Sequence, residues 1–127
     1  MKPHSTRIAA LVTLIMTTAL TANARTHHPR HNGTGPGPGP CKTQATRPEW
    51  QIMLPESNGW PTANNPHSTA FGCFQALRST RLRFNPPGCP TDTTNTDCQM
   101  ASGRAYIRAR YGTAQHALAI RRTRGWY

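Results

Sequence analysis

The sequence contains few side chains that could act as acid catalysts. Its 127 residues include only four acidic side chains, Glu49, Glu56, Asp92 and Asp97, against 15 lysines and arginines. Glu49 is expected in the first turn of a helix and the two aspartates in a threonine-rich loop, where capping and turn roles explain them. Glu56 is expected where an apolar helix meets a loop, a half-buried position that favours a protonated carboxyl group. Glu56 is therefore the candidate general acid.

The residues that follow Glu56 form a longer motif. The pair Glu56-Ser57 is followed by a Gly-x-x-Gln motif formed by Gly72 and Gln75. Their order and separation resemble the catalytic stretch of soluble lytic transglycosylases and goose-type lysozymes. Three later segments, residues 106–112, 117–119 and 125–127, resemble the tail of short exported members of that superfamily. The resemblance covers residues 50–127.

This resemblance implies a lysozyme-like fold that cleaves the bond between N-acetylmuramic acid and N-acetylglucosamine in peptidoglycan. Glu56 would protonate the glycosidic oxygen, and the sugar's own acetamido group and 6-hydroxyl would complete the displacement, leaving a 1,6-anhydro-muramyl end. Ser57 would support the acid, Gly72 would let the backbone approach the glycan, and Gln75 would bond the sugar. Tyr106 is a further candidate because its ring could stack on a sugar. Purely structural roles remain open for all of these except the acid, and no cofactor is expected.

Three alternatives remain open at this stage. In a lysozyme-type muramidase, Asp92 or Asp97 would lie near Glu56, since two-carboxylate enzymes hold the pair about 5 to 9.5 Å apart. In an inactive peptidoglycan-binding module, Pro55 beside the acid and residues 120–124, which replace the Tyr-Asn or Trp-Asn pair common in the family, would mark the loss of activity. A cationic effector acting on membranes would need a basic helix longer than the last one here.

The hydrophobic pattern predicts four helices and no convincing strand, hence a small, mostly α domain. The first helix is expected from Arg47–Glu49 to about Glu56, with Trp50, Met53 and Leu54 on its buried face. The second is expected over residues 74–81, the third over 97–111 before a Gly112 cap, and the fourth from a Thr113 N-cap toward Gly125. The inner residues expected in the last two helices are Met100, Ile107, Tyr111, Ala117, Leu118 and Ala119.

Four cysteines, Cys41, Cys73, Cys89 and Cys98, indicate disulfides in a small exported chain. A metal site is disfavoured because the sequence has no C-x-x-C pair and no histidine at zinc-finger spacing. Three pairings are possible. We favour Cys89 with Cys98 as a staple within a long loop, and Cys41 with Cys73.

The organisation of the chain indicates export. Residues 1–24 combine a basic start, the apolar run Ile8–Leu20 and a small-x-small cleavage site, which is typical of a secretory signal peptide. The apolar run of 13 residues is shorter than the ~20 needed to span a bilayer, so no stable membrane span is expected. Residues 25–40, with three Gly-Pro repeats, are expected to be a linker, and its three histidines part of a polar tail. Residues 41–127 would form the domain.

Charge and compartment together indicate the partner. Removal of residues 1–24 takes away Lys2 and Arg7, so the formal net charge of +11 falls to +9. Such a charge favours polyanions, and an exported protein meets the cell wall before it meets nucleic acid. We therefore expect a monomer, periplasmic or extracellular and associated with the wall, that binds peptidoglycan glycan strands and no nucleic acid. A secretion, conjugation or phage-related machine is the further partner class considered.

Overall fold

Four α-helices follow a short 3-10 helix in residues 36–125, the part of the chain that the computed structural model describes. The 3-10 helix is Pro40–Gln44, and the α-helices are α1 Arg47–Ser57, α2 Arg78–Phe84, α3 Thr96–Tyr111 and α4 Ala114–Arg124. Over residues 36–125 there is no strand, and only isolated bridges occur between α1 and α2. The predicted mostly α class is confirmed. None of the helices in this range is long and apolar enough to cross a membrane.

The predicted signal peptide and most of the predicted linker lie outside the described residues, but the end of the linker does not. The backbone N–H of Gly39 donates to the carbonyl of Asn58 at 2.8 Å, and the carbonyl of Gly37 accepts from the Trp60 indole at 3.0 Å. A Cβ on Gly39 would lie 2.3 Å from the carbonyl oxygen of Gly59, so only glycine permits this approach. At the end of the predicted linker, Gly37 and Gly39 therefore pack against the end of α1, and the linker over residues 25–40 stays a prediction.

The first helix begins and ends where its sequence signals place it. The side chain of Glu49 accepts from the backbone N–H of Thr46 at 2.8 Å, completing a capping box at the N-terminus. At the other end Asn58 adopts a left-handed conformation with φ of 51°. The predicted inner face is only partly correct: Met53 is fully buried, but Leu54 is 46 % exposed and Ile52 is buried in its place.

The predicted second helix is wrong in its bounds, since α2 begins at Arg78 rather than at Phe74. Residues before Arg78 turn back on themselves: the N–H of Phe71 donates to the carbonyl of Ala76, and Gln75 has a positive φ of 49°. Arg81 then holds α2 in place because its buried guanidinium donates to three backbone carbonyls and to Asp92. These acceptors lie in the loops on either side of α2 and not in the helix itself, so helical periodicity did not reveal the contacts.

Helices α3 and α4 have the caps that the sequence predicted. The Thr113 side chain accepts from the N–H of His116 at 3.2 Å, and Gly112 and Gly125 end the two helices with positive φ. Of the inner residues predicted, Ala119 is exposed and Tyr111 is half-buried. The others contribute to the hydrophobic core, which contains Cys41, Ile52, Met53, Cys73, Phe74, Met100, Ile107, Ala117 and Leu118.

Two disulfides have the pairing favoured from the sequence. Cys41 is joined to Cys73 inside the core, and Cys89 is joined to Cys98 across the loop between α2 and α3. The first bridge fixes the 3-10 helix to the segment that follows α1. The second closes a loop too polar to pack by itself. Residues 36–125 therefore form a small α domain with one core and two covalent staples.

Candidate active site

A cavity of about 210 Å³ opens where the C-terminal end of α1 faces α2 and α3. Its lining residues are Glu56, Phe74, Gln75, Ala76, Leu77, Thr80, Gly103 and Tyr106. Three predicted site residues, Glu56, Gln75 and Tyr106, therefore meet on one cavity although up to 50 positions separate them in the sequence. The other two, Ser57 and Gly72, do not line it. The walls are largely apolar, with a few polar groups placed among them, as is common in ligand sites.

Glu56 lies in the last turn of α1, where its side chain remains 26 % exposed. Arg121 of α4 donates two hydrogen bonds to its Oε1, at 2.8 Å from Nη2 and 3.1 Å from Nε. Oε2 has no hydrogen-bond partner within residues 36–125. Of the two carboxylate oxygens, only Oε2 is therefore available to a ligand unless Arg121 moves away. The sequence showed that residues 120–124 differ from the usual family motif, but it did not show that Arg121 contacts Glu56.

No other acidic side chain lines the cavity, although all four of the chain are within the described residues. Asp92 pairs with Arg81 at 2.8 Å, and Asp97 accepts a hydrogen bond from Gln44 at 2.8 Å. Asp92 thus ties its loop to α2, and Asp97 ties the start of α3 to the 3-10 helix; the cap role expected for an aspartate is taken by Asn95 instead. The arrangement in which one of them approaches Glu56 as a second catalytic carboxylate has no support in this geometry.

Glu49 links α1 to α3 rather than to the cavity. Its Oε1 accepts from Nε of Arg104 at 2.9 Å and its Oε2 from Nη2 at 3.1 Å, and the Glu49 residue is only 6 % exposed. Burial acts to raise the pKa of Glu49, but hydrogen bonds from Arg104 and Thr46 and the charge of Arg104 outweigh it and hold the pKa below 4.5. This pair orients the helix that carries Glu56 at its other end.

Gln75 lines the cavity with its side-chain amide already partly engaged. Its Nε2 donates to the carbonyl of Ala63 at 2.9 Å and to that of Gly72 at 3.0 Å, which braces the turn in which Gln75 has its positive φ. Oε1 has no hydrogen-bond partner among the described residues. In a hydrogen bond between Gln75 and a sugar hydroxyl, the hydroxyl must therefore donate and Oε1 accept, because both N–H donors of Gln75 are in use.

Tyr106 is the aromatic wall of the cavity. Burial, with a further contribution from hydrogen bonding to Tyr111, raises the pKa of Tyr106 to about 12. Its hydroxyl therefore stays protonated at any physiological pH. The ring contacts Phe84 edge to face, with 5.6 Å between the ring centroids. Tyr106 thus offers a fixed ring and a neutral hydroxyl.

Ser57 and Gly72 do not line the cavity but pack next to the residues that form its walls. The buried Ser57 hydroxyl donates to the carbonyl of Cys73 and accepts from the N–H of Gly59 at 3.0 Å. Gly72 has φ of 79°, and a Cβ there would lie 2.4 Å from Oε1 of Gln99. The close approach at Gly72 is therefore made by Gln99 and not by a surface open to a glycan.

Two further contributors were not anticipated from the sequence. Gln99 accepts from the N–H of Cys73 and donates to the carbonyls of Pro61 and Thr93, so it holds together the loops behind the cavity. Gly103 lies within α3, and a Cβ there would be 2.2 Å from the ring of Phe74. A glycine inside a predicted helix was the only available signal for this close packing.

The described residues contain no group of three or more His, Cys, Asp or Glu side chains placed to hold a metal ion. Predicted tail histidines lie outside residues 36–125. The site geometry therefore consists of one carboxylate, one amide oxygen, a protonated tyrosine and apolar walls. No protein-family model, no curated protein and no solved structure matches this chain.

Proposed function

We propose that this protein is a peptidoglycan lytic transglycosylase with a lysozyme-like domain, acting on the exported side of the membrane. The observation that carries the proposal is the cavity on which Glu56 is the only acidic side chain and which Gln75 and Tyr106 also line. Its apolar walls and aromatic ring suit the face of a sugar, and its few polar groups suit the sugar's hydroxyls. The two disulfides support an oxidising compartment.

In the proposed reaction Glu56 donates its proton to the oxygen that links N-acetylmuramic acid to N-acetylglucosamine. The acetamido oxygen of the muramic acid attacks C1 as that bond breaks, so the departing sugar leaves as a free alcohol. The ionised Glu56 then takes the proton of the 6-hydroxyl, whose oxygen attacks C1 and displaces the acetamido group. The product is a 1,6-anhydro ring, no water is consumed, and Glu56 ends protonated as it began.

The absence of a second acidic side chain from the cavity favours this route over a two-carboxylate hydrolase. Retaining and inverting glycosidases need a partner carboxylate within about 10 Å of the acid. Asp92 and Asp97 are held by Arg81 and Gln44 instead. A transglycosylase needs only the one acid, since the substrate supplies the nucleophiles.

A second candidate function is a peptidoglycan-binding module without activity, and the Arg121 contact favours it. Arg121 donates two hydrogen bonds to Oε1 of Glu56, so this carboxylate already has a structural partner, as it could in an inactive module. In the active protein, the substrate must therefore displace Arg121 or approach Oε2.

One experiment separates the candidates. Purified, oxidised protein is incubated with peptidoglycan, and the released fragments are analysed by mass spectrometry. We expect anhydro-muropeptides, which are lighter by one water than the products of hydrolysis. Reducing ends would identify a muramidase, and binding without release would identify the inactive module.

The matched variants are Glu56→Gln and Asp97→Asn, which each replace one carboxylate by its amide. Glu56→Gln should lower the release rate by about 10²- to 10⁴-fold, the usual contribution of a general acid. Asp97→Asn should leave the rate unchanged because Asp97 is exposed and away from the cavity. Full activity of a folded Glu56→Gln variant would refute the role of Glu56.

A further inference from the structure

A second, more open groove of about 420 Å³ continues from the cavity along α2 and α3. Its lining includes Ser79, Thr80, Arg83 and Phe84 of α2 and Tyr106 and Arg110 of α3. Thr80 and Tyr106 line both the groove and the cavity. A ligand bound at Glu56 can therefore extend a substituent into the groove without leaving the protein surface.

The two arginines of the groove are paired with none of the chain's acidic side chains. Glu49, Glu56 and Asp92 are paired with three other arginines, and Asp97 accepts from Gln44. These four are all the acidic side chains of the chain. The described contact of Arg83 is with a ring face, its guanidinium carbon lying 5.4 Å from the Phe84 centroid. Two guanidinium groups thus border the groove with no acidic side chain to compensate their charge.

The chemistry of the groove differs from that of the cavity. Hydroxyl groups of Ser79 and Thr80 accompany the two arginines, and the rings of Phe84 and Tyr106 form its aromatic side. Guanidinium groups pair with carboxylates through parallel N–H donors, and stacking on a ring keeps such a group in a defined orientation. The groove is therefore suited to a polar chain that carries carboxylate groups.

We propose that this groove binds the peptide stem of the wall polymer through a free carboxylate of that stem. The inference rests on the proposed function, which places N-acetylmuramic acid in the adjoining cavity. The N-acetylated glycan backbone is uncharged, whereas the stem attached to the muramic acid carries carboxylates. A stem leaving the sugar beside Glu56 meets the groove directly because the two spaces share lining residues.

Binding is tested in a Glu56→Gln background, so that no probe is cleaved. Three soluble probes of equal glycan length are compared: glycan with stems bearing free carboxylates, the same material with those carboxylates amidated, and glycan stripped of its stems with the exposed lactyl carboxyl groups amidated. The groove variant is Arg83→Gln with Arg110→Gln. Its matched control is Arg78→Gln with Arg108→Gln, which removes one exposed arginine from each of the same two helices.

We expect the groove variant to bind the free-carboxylate probe about tenfold more weakly, the loss of one charge-assisted contact. Its binding of stripped glycan should be unchanged, and amidation of the stem should cost the unsubstituted groove about the same tenfold. The matched control should bind all three probes like the parent. Calorimetry at fixed ionic strength measures these constants.

Equal weakening by the groove variant and the matched control would overturn the proposal, because charge alone would then explain binding. So would equal weakening toward stripped and stem-bearing glycan. Polyglycerol phosphate serves as a fourth probe. If the groove variant loses more affinity for it than for the free-carboxylate probe, the groove binds phosphate instead. Failure of the proposed function is distinguishable: unsubstituted protein would release no fragments while the probes were still discriminated. Fragment release without discrimination would reject only the groove.

Discussion

The Glu49–Arg104 pair connects the capping of α1 to the packing of α3, and its removal should destabilise the fold in a pH-dependent way. The perturbation is Glu49→Gln, which keeps the shape of the side chain and removes its charge. The substituted side chain would retain one acceptor oxygen for the donors that now reach two, from Thr46 and Arg104. It would also leave the Arg104 guanidinium without its carboxylate.

The magnitude follows from burial. Breaking a buried ion pair from one side costs about 3 to 5 kcal/mol. The Arg104 side chain is 39 % exposed, so water screens the charge left behind, and we expect about half of that loss. With the weakened cap included, the free energy of unfolding should fall by about 2 kcal/mol. In a domain of this size the melting temperature should fall by about 10 °C.

The sign of the pH dependence is fixed by the lowered pKa of Glu49. A carboxylate with a depressed pKa in the folded state stabilises the fold fully above its unfolded value of 4.5. That stabilisation is lost as the pH falls through the folded value. The difference between parent and variant should therefore be complete at neutral pH and disappear in strong acid.

Urea unfolding followed by circular dichroism at about pH 7, 5.5 and 2.5 measures this difference. Glu56→Gln is the matched control, since it makes the same chemical change on the same helix at a carboxylate that is 26 % rather than 7 % exposed and that caps no helix. We expect it to cost less than Glu49→Gln because no helix cap is lost with it. The reasoning fails if Glu49→Gln costs no more than the control at neutral pH, or if its cost persists in acid.

Three further predictions concern single substitutions. Gly72→Ala should lower the free energy of unfolding by about 3 kcal/mol, measured in urea, because a positive φ and the fixed amide of Gln99 both oppose a Cβ; a neutral result would contradict the packing. Ser102→Ala should raise the free energy of unfolding by about 1 kcal/mol, and with it the melting temperature, since the buried Ser102 hydroxyl has no partner among the described residues; a lower melting temperature would show that this hydroxyl makes a hydrogen bond. Arg121→Gln should raise fragment release about fivefold, equivalent to about 1 kcal/mol, because it removes the two hydrogen bonds that now occupy Oε1 of Glu56; slower release would show that Arg121 assists the reaction.

Local signals in the sequence predicted the helices whose ends are determined locally. Glu49 in the first turn helped to place the start of α1, and Thr113 and Gly125 marked the limits of α4. The start of α2 was missed because Gln75 adopts a left-handed conformation that no residue type announces. Its stabilisation comes from carbonyls of Ala63 and Gly72, contacts made only after folding.

Of the five site residues named from the sequence, Glu56, Gln75 and Tyr106 line the cavity, whereas Ser57 and Gly72 do not. The motif identified Glu56 and Gln75, and the ability of an aromatic ring to stack on a sugar identified Tyr106. The contact between Glu56 and Arg121 spans 65 positions, and nothing in the local sequence sets that distance. The motif indicated that something packs closely against Gly72, and a glycan was the expected neighbour. The sequence did not show that the side-chain amide of Gln99 lies there instead.

Cys73 joins three elements of the fold, and this limits which wall of the cavity can move. Its sulfur is bonded to Cys41, its carbonyl accepts from Ser57, and its N–H donates to Gln99. One residue thereby ties together the 3-10 helix, α1 and α3, so the wall of the cavity formed by the adjoining Phe74 is anchored on three sides. The opposite wall is on α2, a helix of seven residues that contains no disulfide cysteine. It is held by Arg81, by the N–H of Arg78 on Thr69 and by the ring contact of Phe84 with Tyr106. Tolerance for ligands of different width should therefore come mainly from the α2 side, and engineering of substrate range should begin there.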